Sequence, residues 1–199
     1  MSSFTFKDDI MLEDDKVKLC PLQRSDIQYL KLFAKQEPQL WKYSLAQIKN
    51  VQDLETYIEK AVQARIDEKE YPFIVYDKEK KRYAGSTRFY DIQLSFSTLQ
   101  IGYTWYGHEF QGTSVNKRCK FLLLQYAFET MHMERVEFRA DARNERSKQA
   151  MVSIGCTLEG TLRNHLPSAD GGRRDSIILS ILKEEWFGNV KENLWKKIS

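Results

Sequence analysis

Two short polar stretches have the residue types and the positions that suit an anionic ligand. The first stretch, residues 108–116, lies between a predicted strand (97–106) and a predicted helix (117–131). A glycine-containing turn at such a junction leaves backbone N–H groups unpaired at a helix N-terminus, and these groups suit a phosphate. The simpler alternative is that Gln111-Gly112-Thr113 forms an ordinary turn.

The second stretch, residues 143–147, follows another predicted strand (135–141) and opens a second helix. Asn144 and Ser147 can therefore both hold a ligand from the adjoining strand end. Asn144 alone is better explained as an N-cap, and Ser147 alone as a solvent-facing serine early in a helix. The two stretches together, in this order along the chain, favour the functional interpretation.

The predicted strands and helices follow one another along the whole chain, and no linker segment divides them. We therefore expect one domain over residues 1–199, with 1–15 as a flexible or loosely packed segment. Apolar residues recur at helical spacing over 51–69, and alternation over 99–105 indicates a half-buried strand. Further strands are predicted at 17–22, 71–76, 83–92, 157–166 and 174–182, the last two as a hairpin across 167–172. The last segment, 183–199, is predicted to be helical, with Trp186, Leu194 and Trp195 as anchors.

The motifs, in this order, resemble the GNAT superfamily of acetyl-CoA-dependent N-acetyltransferases, and in particular its RimJ/RimL-like (ribosomal-protein-alanine acetyltransferase) branch. The pyrophosphate loop of that family has the form Gln/Arg-x-x-Gly-x-Gly/Ala, and the branch often has Gln-Gly-Thr-Gly-Val-Asn there. The chain has Gln111-Gly112-Thr113-Ser114-Val115-Asn116. Ser114 thus replaces the second glycine, and because serine tolerates positive φ less well, weaker cofactor binding is expected. Weaker similarities at 85–89, 101–105, 155–160 and 162–165 extend the resemblance from Val17 to Trp186.

The resemblance implies a single mixed α/β domain. Its central sheet would have about seven mostly antiparallel strands, flanked by helices, with a central strand pair that splays apart. A doubly wound parallel fold would need stricter alternation of strand and helix and ranks second.

The resemblance also implies direct transfer of an acetyl group to a primary amine through a tetrahedral intermediate, without a metal or an acyl-enzyme. Backbone of Tyr103, Thr104 and Trp105 would pair with the pantetheine arm of acetyl-CoA, and Asn144 would bond to the same arm. Ser147 would lie near the sulfur and act as the acid for the departing thiolate. The cofactor-binding residues implied in this way are Tyr103, Thr104, Trp105, Gln111, Gly112, Thr113, Ser114, Val115, Asn116, Asn144 and Ser147.

The general base has two candidates, because the attacking amine must first lose a proton. Glu159 lies near the start of a strand where relatives have polar active-site groups. His165 has an ordinary pKa of about 6.5, which suits proton transfer at neutral pH. The glutamate that RimL-like enzymes use aligns with Leu166, so that role does not carry over directly. A water relay and capture of the neutral amine remain open.

Arg88, Tyr103 and Asp175 are predicted to shape the acceptor pocket, where the carboxylate of Asp175 would attract a cationic amine. The two neighbouring arginines, Arg173 and Arg174, are more simply explained as a salt-bridge cluster in the hairpin. The acceptor stays open among a protein N-terminus, an aminoglycoside-like amine, a polyamine and an amino acid.

The composition predicts an ordinary soluble protein, with 42% hydrophobic and 30% charged residues. A net charge of +3 is too small to indicate nucleic-acid or membrane binding. Cys20, Cys119 and Cys156 lack metal-site spacing, and the N-terminus is polar and acidic, unlike a signal peptide. We therefore expect a cytoplasmic monomer or homodimer with reduced thiols that binds acetyl-CoA and an amine.

The alternative to an enzyme is a binding module: a non-catalytic protein with the same fold that binds acyl-CoA or a partner. It is favoured by the two departures from the family pattern, Ser114 and Leu166. A nucleotide hydrolase is disfavoured, because the chain has no Gly-x-x-x-x-Gly-Lys-Ser/Thr loop.

Overall fold

A computed structural model describes residues 4–168 and 171–199 of the chain. The strands are β1 (Leu12–Glu13), β2 (Val17–Pro21), β3 (Tyr71–Asp77), β4 (Arg82–Gln93), β5 (Thr98–Tyr106), β6 (Arg135–Asp141), β7 (Thr157–Pro167) and β8 (Arg173–Leu182). The helices are α1 (Ile27–Gln36), α2 (Val51–Ile66), α3 (Val115–Gln125), α4 (Glu145–Ser153), α5 (Lys183–Glu185) and α6 (Lys191–Lys196).

The described strands form one sheet in the order β1-β2-β3-β4-β5-β6-β8-β7. Every neighbouring pair is antiparallel except β5 and β6, which run parallel. The mixed, mostly antiparallel sheet with flanking helices confirms the predicted fold class. The eighth strand is the two-residue β1, which lies in a segment that carried no strand prediction.

The pairing of β5 with β6 is short. Only Thr98, Leu99 and Gln100 have partners on β6, in the first three residues of that strand. Beyond Gln100 the two strands separate, while β6 stays paired with β8 along its whole length. One edge of β5 therefore has no strand partner over residues 101–106, as the predicted splayed strand pair requires.

A β-bulge on β5 accompanies this separation. Ser86 pairs with Trp105 and Arg88 with Gly102, so Tyr103 and Thr104 both lie opposite Thr87. Tyr103 has a φ of 51°, a left-handed conformation that is costly for a bulky residue. A bulge bends its strand and increases the local twist, which turns the end of β5 away from β6.

Gly85 allows the bulged strand to lie close to β4. A Cβ atom at this position would lie 2.0 Å from the carbonyl oxygen of Trp105. Any side chain here would push the end of β5 outwards, so the glycine is required by close backbone approach.

The N-terminal residues are packed from Phe4 onwards, which differs from the loose segment expected for residues 1–15. Phe4 and Ile10 are buried, and the Tyr71 hydroxyl donates to the Asp8 carbonyl at 2.6 Å. Arg65 Nε donates to the carbonyl of Phe6 at 2.9 Å. Phe6 and Leu12 also pack against the core, so apolar contacts and these hydrogen bonds together hold the segment; residues 1–3 lie outside the described chain.

Arg118 on α3 joins both ends of the chain to the middle of the fold. Its side chain is buried and bonds to Asp14 at 2.8 Å, to Asp15 at 2.6 Å and to the Ile198 carbonyl at 2.5 Å. The buried guanidinium is thus compensated by two carboxylates and a backbone acceptor.

Several predicted boundaries differ from the observed ones. Helix α3 begins two residues earlier than predicted and changes to a π-helical turn at Tyr126–Thr130. The predicted C-terminal helix is divided by a second π-helical turn at Trp186–Val190. Trp186 and Leu194 are buried anchors as predicted, whereas Trp195 is 48% exposed. Part of the predicted turn at 167–172, residues 169–170, lies outside the described residues.

Candidate active site

A cleft opens where β5 and β6 separate, with a volume of about 570 Å³. Its walls are the free edge of β5, the end of β6, the first turns of α3 and α4, the end of β7 and residues 39–45. Both polar stretches found in the sequence border this one space. Of the residues predicted to bind the cofactor, those that line it are Tyr103, Thr104, Trp105, Gln111, Gly112, Asn116, Asn144 and Ser147.

The turn before α3 has free backbone donors. Among the described residues, the N–H groups of Gly112, Thr113 and Ser114 have no hydrogen-bond acceptor. Gly112 has a φ of 73°, and no atom lies within 4 Å of where its Cβ would be, so the backbone is open there. Free N–H groups at a helix N-terminus form an anion site.

Side chains hold this turn in place. Gln111 Nε2 donates to the Tyr106 carbonyl at 2.8 Å, and its Oε1 accepts a hydrogen bond from Arg146. Thr113 Oγ1 donates to the Phe110 carbonyl at 2.7 Å. Thr113, Ser114 and Val115 were also predicted to bind the cofactor, and they lie in this turn without lining the cleft.

Ser114 adopts an ordinary helical conformation, with φ −69° and ψ −16°. The residue of the turn with a positive φ is Gly112, which matches the first glycine of the branch's sequence. The reason for expecting weaker cofactor binding, a serine forced into the left-handed region, is therefore wrong.

Asn144 and Ser147 begin α4 at the carboxyl end of β6. Asn144 Oδ1 accepts a hydrogen bond from the Ser147 N–H at 3.1 Å, so Asn144 is an N-cap as well as a lining residue. The two interpretations of the sequence are compatible, because the capping amide oxygen leaves the amide NH₂ available. The Ser147 hydroxyl makes no hydrogen bond to a described residue and is half-buried at the cleft.

Glu159 does not lie in the cleft, which corrects its assignment as a base. Arg135 donates to both of its carboxylate oxygens, at 2.5 and 2.6 Å, and Ser180 Oγ donates at 2.6 Å. The Arg135 hydrogen bonds lower the pKa of Glu159 to about 2. Arg135 begins β6, so Glu159 lies at the opposite end of that strand from the cleft. A carboxylate of this pKa is also a weak base.

His165 and Leu166 both line the cleft, at the end of β7. His165 is half-buried, and its Nδ1 has no hydrogen-bond partner among the described residues. Burial and the neighbouring Arg139, Arg174 and Arg173 lower the pKa of His165. The imidazole is therefore neutral at physiological pH, the form that can accept a proton.

Arg88 and Asp175 are also placed differently from the prediction. Arg88 is buried behind the cleft, where it bonds to Glu70 at 2.5 Å and lies 4.1 Å from the ring centre of Tyr103. It supports Tyr103, whose ring borders the cleft. Asp175 is exposed and accepts the Asn164 N–H at 2.7 Å within the hairpin, so it does not provide a negative charge in the cleft.

Two buried basic residues, Lys120 and Arg174, line the cleft without having been predicted there. The sequence analysis did not single out Lys120, and it explained Arg174 by a salt-bridge cluster, whereas Arg174 makes no ion pair with a described residue. Lys120 Nζ donates to Thr104 Oγ1 at 2.8 Å and to Thr87 Oγ1 at 3.3 Å, and it has no carboxylate partner among the described residues. Burial lowers the pKa of Lys120 to about 8. The signal available in the sequence was the position of this lysine, between the apolar residues Cys119 and Phe121 of a predicted helix.

Two of the three cysteines, Cys119 and Cys156, are buried and lack nucleophilic character. Burial raises the pKa of Cys119 to about 12 and also raises that of Cys156. Both thiols are therefore protonated at neutral pH. No helix within the described residues is both long and apolar enough to cross a membrane.

Comparison with known proteins agrees with this architecture. The sequence model of the acetyltransferase (GNAT) domain matches residues 16–157. The "putative ribosomal N-acetyltransferase YdaF" of Bacillus subtilis is 36% identical over 89 residues, which cover 45% of this chain and 48% of that protein. The ribosomal protein uS5-alanine N-acetyltransferase of Escherichia coli is 24% identical over 115 residues, covering 57% and 58%. The chain thus spans about half the length of the curated relatives it matches.

The fold also matches solved structures over its whole length. The crystal structure of a "putative acetyltransferase" from T. thermophilus is 29% identical, with a TM-score of 0.85, and the match covers 100% of both chains.

The buried Lys120 generates a prediction about stability and pH. The native pKa of about 8 lies below the ordinary 10.5, so between these values the unfolded chain binds a proton that the native protein lacks. The free energy of unfolding of the wild type, minus that of Lys120→Met, should therefore rise with pH across this window. Denaturant unfolding at several pH values measures the difference, with Lys148→Met as a control for losing one positive charge. A difference that stays constant across the window would contradict the assigned pKa.

Proposed function

This chain belongs to the GNAT acetyltransferase family, and we propose that it transfers the acetyl group of acetyl-CoA directly to a primary amine. The observation that carries the proposal is the cleft between β5 and β6, which has free phosphate-binding N–H groups at one end and a neutral histidine in its wall. One open space thus combines an anion site, a free strand edge and a proton acceptor.

The residues present fit acetyl-CoA as the co-substrate. Its pyrophosphate would rest on the N–H groups of residues 112–114, beside Arg146. Its pantetheine amides would pair with the free edge of β5 over residues 101–106, and Asn144 would bond to the same arm. When bound, acetyl-CoA supplies a thioester carbonyl that an amine can attack.

The chain then contributes three functions. His165 accepts the proton of the attacking amine, because it lines the cleft and its imidazole is neutral. A backbone N–H of the bulged part of β5 donates to the developing oxyanion. Ser147, in the first turn of α4, donates its hydroxyl proton to the departing thiolate and takes up a proton from solvent in return.

The amine class is not decided by these residues. The curated relatives include enzymes named for ribosomal proteins, which supports a protein N-terminus as one acceptor. A cytoplasmic location is also part of the proposal, since three free cysteines are typical of proteins in a reducing compartment.

A second candidate, a non-catalytic acyl-CoA-binding module, is favoured by Leu166 at the place of the family's glutamate. Both candidates require acetyl-CoA to stabilise the protein, by about 5–10 °C in melting temperature at one hundred times the dissociation constant. Steady release of free CoA with an amine present excludes the module. Binding without release across a broad amine panel excludes the enzyme.

Gly112→Asp should weaken acetyl-CoA binding at least about tenfold, because it places a negative charge against the phosphates. Gly112→Asn is the matched control: it has the same size, tolerates positive φ and carries no charge. Space around residue 112 is open, so both variants should fold. Calorimetric titration measures the affinities. Equal affinity of the two variants would count against phosphate binding at this turn.

Ser147→Ala should lower kcat by about one hundredfold if the hydroxyl protonates the thiolate. The affinity for acetyl-CoA should change much less, since the Asn144 cap accepts from the Ser147 backbone N–H, which alanine retains. Ser153→Ala, at the far end of the same helix, is the control. Equal losses of kcat and of affinity would make Ser147 a binding residue instead.

His165→Gln should abolish the rise of kcat/KM with pH whose midpoint lies below pH 6.5, because only the neutral imidazole accepts a proton. This limb is separate from the ionisation of the amine substrate, which occurs at higher pH. His132→Asn, an exposed histidine remote from the cleft, is the control. An identical acidic limb in His165→Gln would leave water as the proton acceptor.

A further inference from the structure

The charged side chains that line the cleft are predominantly basic. Among the described residues, the basic ones that line it are Lys42, Lys120, Arg139, Arg146 and Arg174, and the acidic one is Asp141. The charge of Asp141 is already compensated, because Arg143 bonds to it at 2.8 Å and lowers its pKa. A positively charged amine entering this cleft finds no free carboxylate among the described lining residues.

Arg174 is a buried arginine at the end of the cleft formed by β7 and residues 39–45. It is 8% exposed, and the one side-chain hydrogen bond it makes to a described residue runs from Nη1 to the Tyr43 carbonyl at 3.2 Å. Its Nε is buried without a partner among the described residues, and it makes no ion pair with any of them. Burial lowers the pKa of Arg174, and the charge of the nearby Asp141 offsets this only in part, so the buried guanidinium favours a further anionic partner.

Arg174 is separate from the proposed phosphate site. Arg146 bonds to Gln111 in the turn before α3, whereas Arg174 contacts the 39–45 segment and pairs across the hairpin with Leu166. It lies close enough to His165 and Tyr103 to affect their ionisation. A group bound by Arg174 would thus lie beside the proposed base.

We propose that the acceptor amine carries a carboxylate or phosphate group close to the amine, and that Arg174 binds this anionic group. The proposal rests on the proposed acetyl transfer. A planar guanidinium with free N–H groups matches a carboxylate or phosphate oxygen pair, and the anion would compensate the buried charge. The same electrostatics disfavours polyamines and aminoglycosides, which bring several positive charges into a basic cleft.

The test compares matched amines that differ only in the anionic group. The probes are alanine with alaninamide, and phosphoethanolamine with ethanolamine, with spermidine as the polycation. The quantity is the ratio of kcat/KM for the anionic probe to that for its neutral partner, in wild type and variant. Dividing one ratio by the other removes the effect of the different amine pKa values.

Arg174→Met should lower this ratio by about tenfold to one hundredfold, as expected for loss of a charge-assisted hydrogen bond. Arg174→Lys should lower the ratio less, because lysine keeps the positive charge but lacks the paired N–H donors of the guanidinium. Arg163→Met is the matched control, an exposed arginine on β7 whose loss changes net charge equally. An unchanged acetyl-CoA stabilisation in Arg174→Met shows that the variant folds and binds cofactor.

The outcomes separate the two proposals. Absence of both acetyl-CoA stabilisation and CoA release in the wild type would refute acetyl transfer itself. Transfer with an equal ratio in wild type and Arg174→Met, or preferred acetylation of spermidine, would overturn the role of Arg174 alone. If acetyl-CoA binds and no probe is acetylated, calorimetric binding of the same probes to the CoA complex replaces kcat/KM. If the anionic probes bind to the CoA complex no more tightly than their neutral partners, the proposed role of Arg174 is also overturned.

Discussion

The candidate site depends on one backbone constraint, the early end of pairing between β5 and β6. Three residue pairs join the strands, and the bulge at Tyr103 and Thr104 then turns β5 away. The left-handed φ of Tyr103 is unfavourable by itself, and surrounding contacts hold it: Arg88 lies over its ring, and the Tyr57 hydroxyl donates to its carbonyl. A continuous sheet would leave no cleft, so this local strain is what makes a site possible.

The N-termini of α3 and α4 both border the cleft, and they differ in whether their N–H groups are already hydrogen-bonded. The turn before α3 leaves its N–H groups free, whereas the N-cap of α4 is satisfied by Asn144. An anion is therefore favoured at the first helix start and a neutral hydrogen-bonding group at the second. Between them, Lys120 is held by two threonine hydroxyls rather than by a carboxylate, so the cleft keeps a positive potential.

The parts of the site that are local in sequence could be predicted, and those that depend on distant partners could not. The turn at residues 111–116 and the start of α4 follow from strand, turn and helix signals within a few residues. The prediction that Glu159 is a base was wrong because its partner, Arg135, lies on another strand and holds the carboxylate at the end of β6 opposite the cleft. The burial of Arg174 likewise follows from strand pairing and from the 39–45 segment, which no spacing rule describes.

Arg118 has a consequence for where this protein ends as a folding unit. The family match covers residues 16–157, yet Asp14, Asp15 and Ile198, which bind Arg118, all lie beyond those limits. A chain trimmed to the family boundaries would leave the guanidinium of Arg118 without counterions in the first turn of α3, next to the proposed phosphate turn. Residues from both sides of the family match are therefore needed to compensate this buried charge.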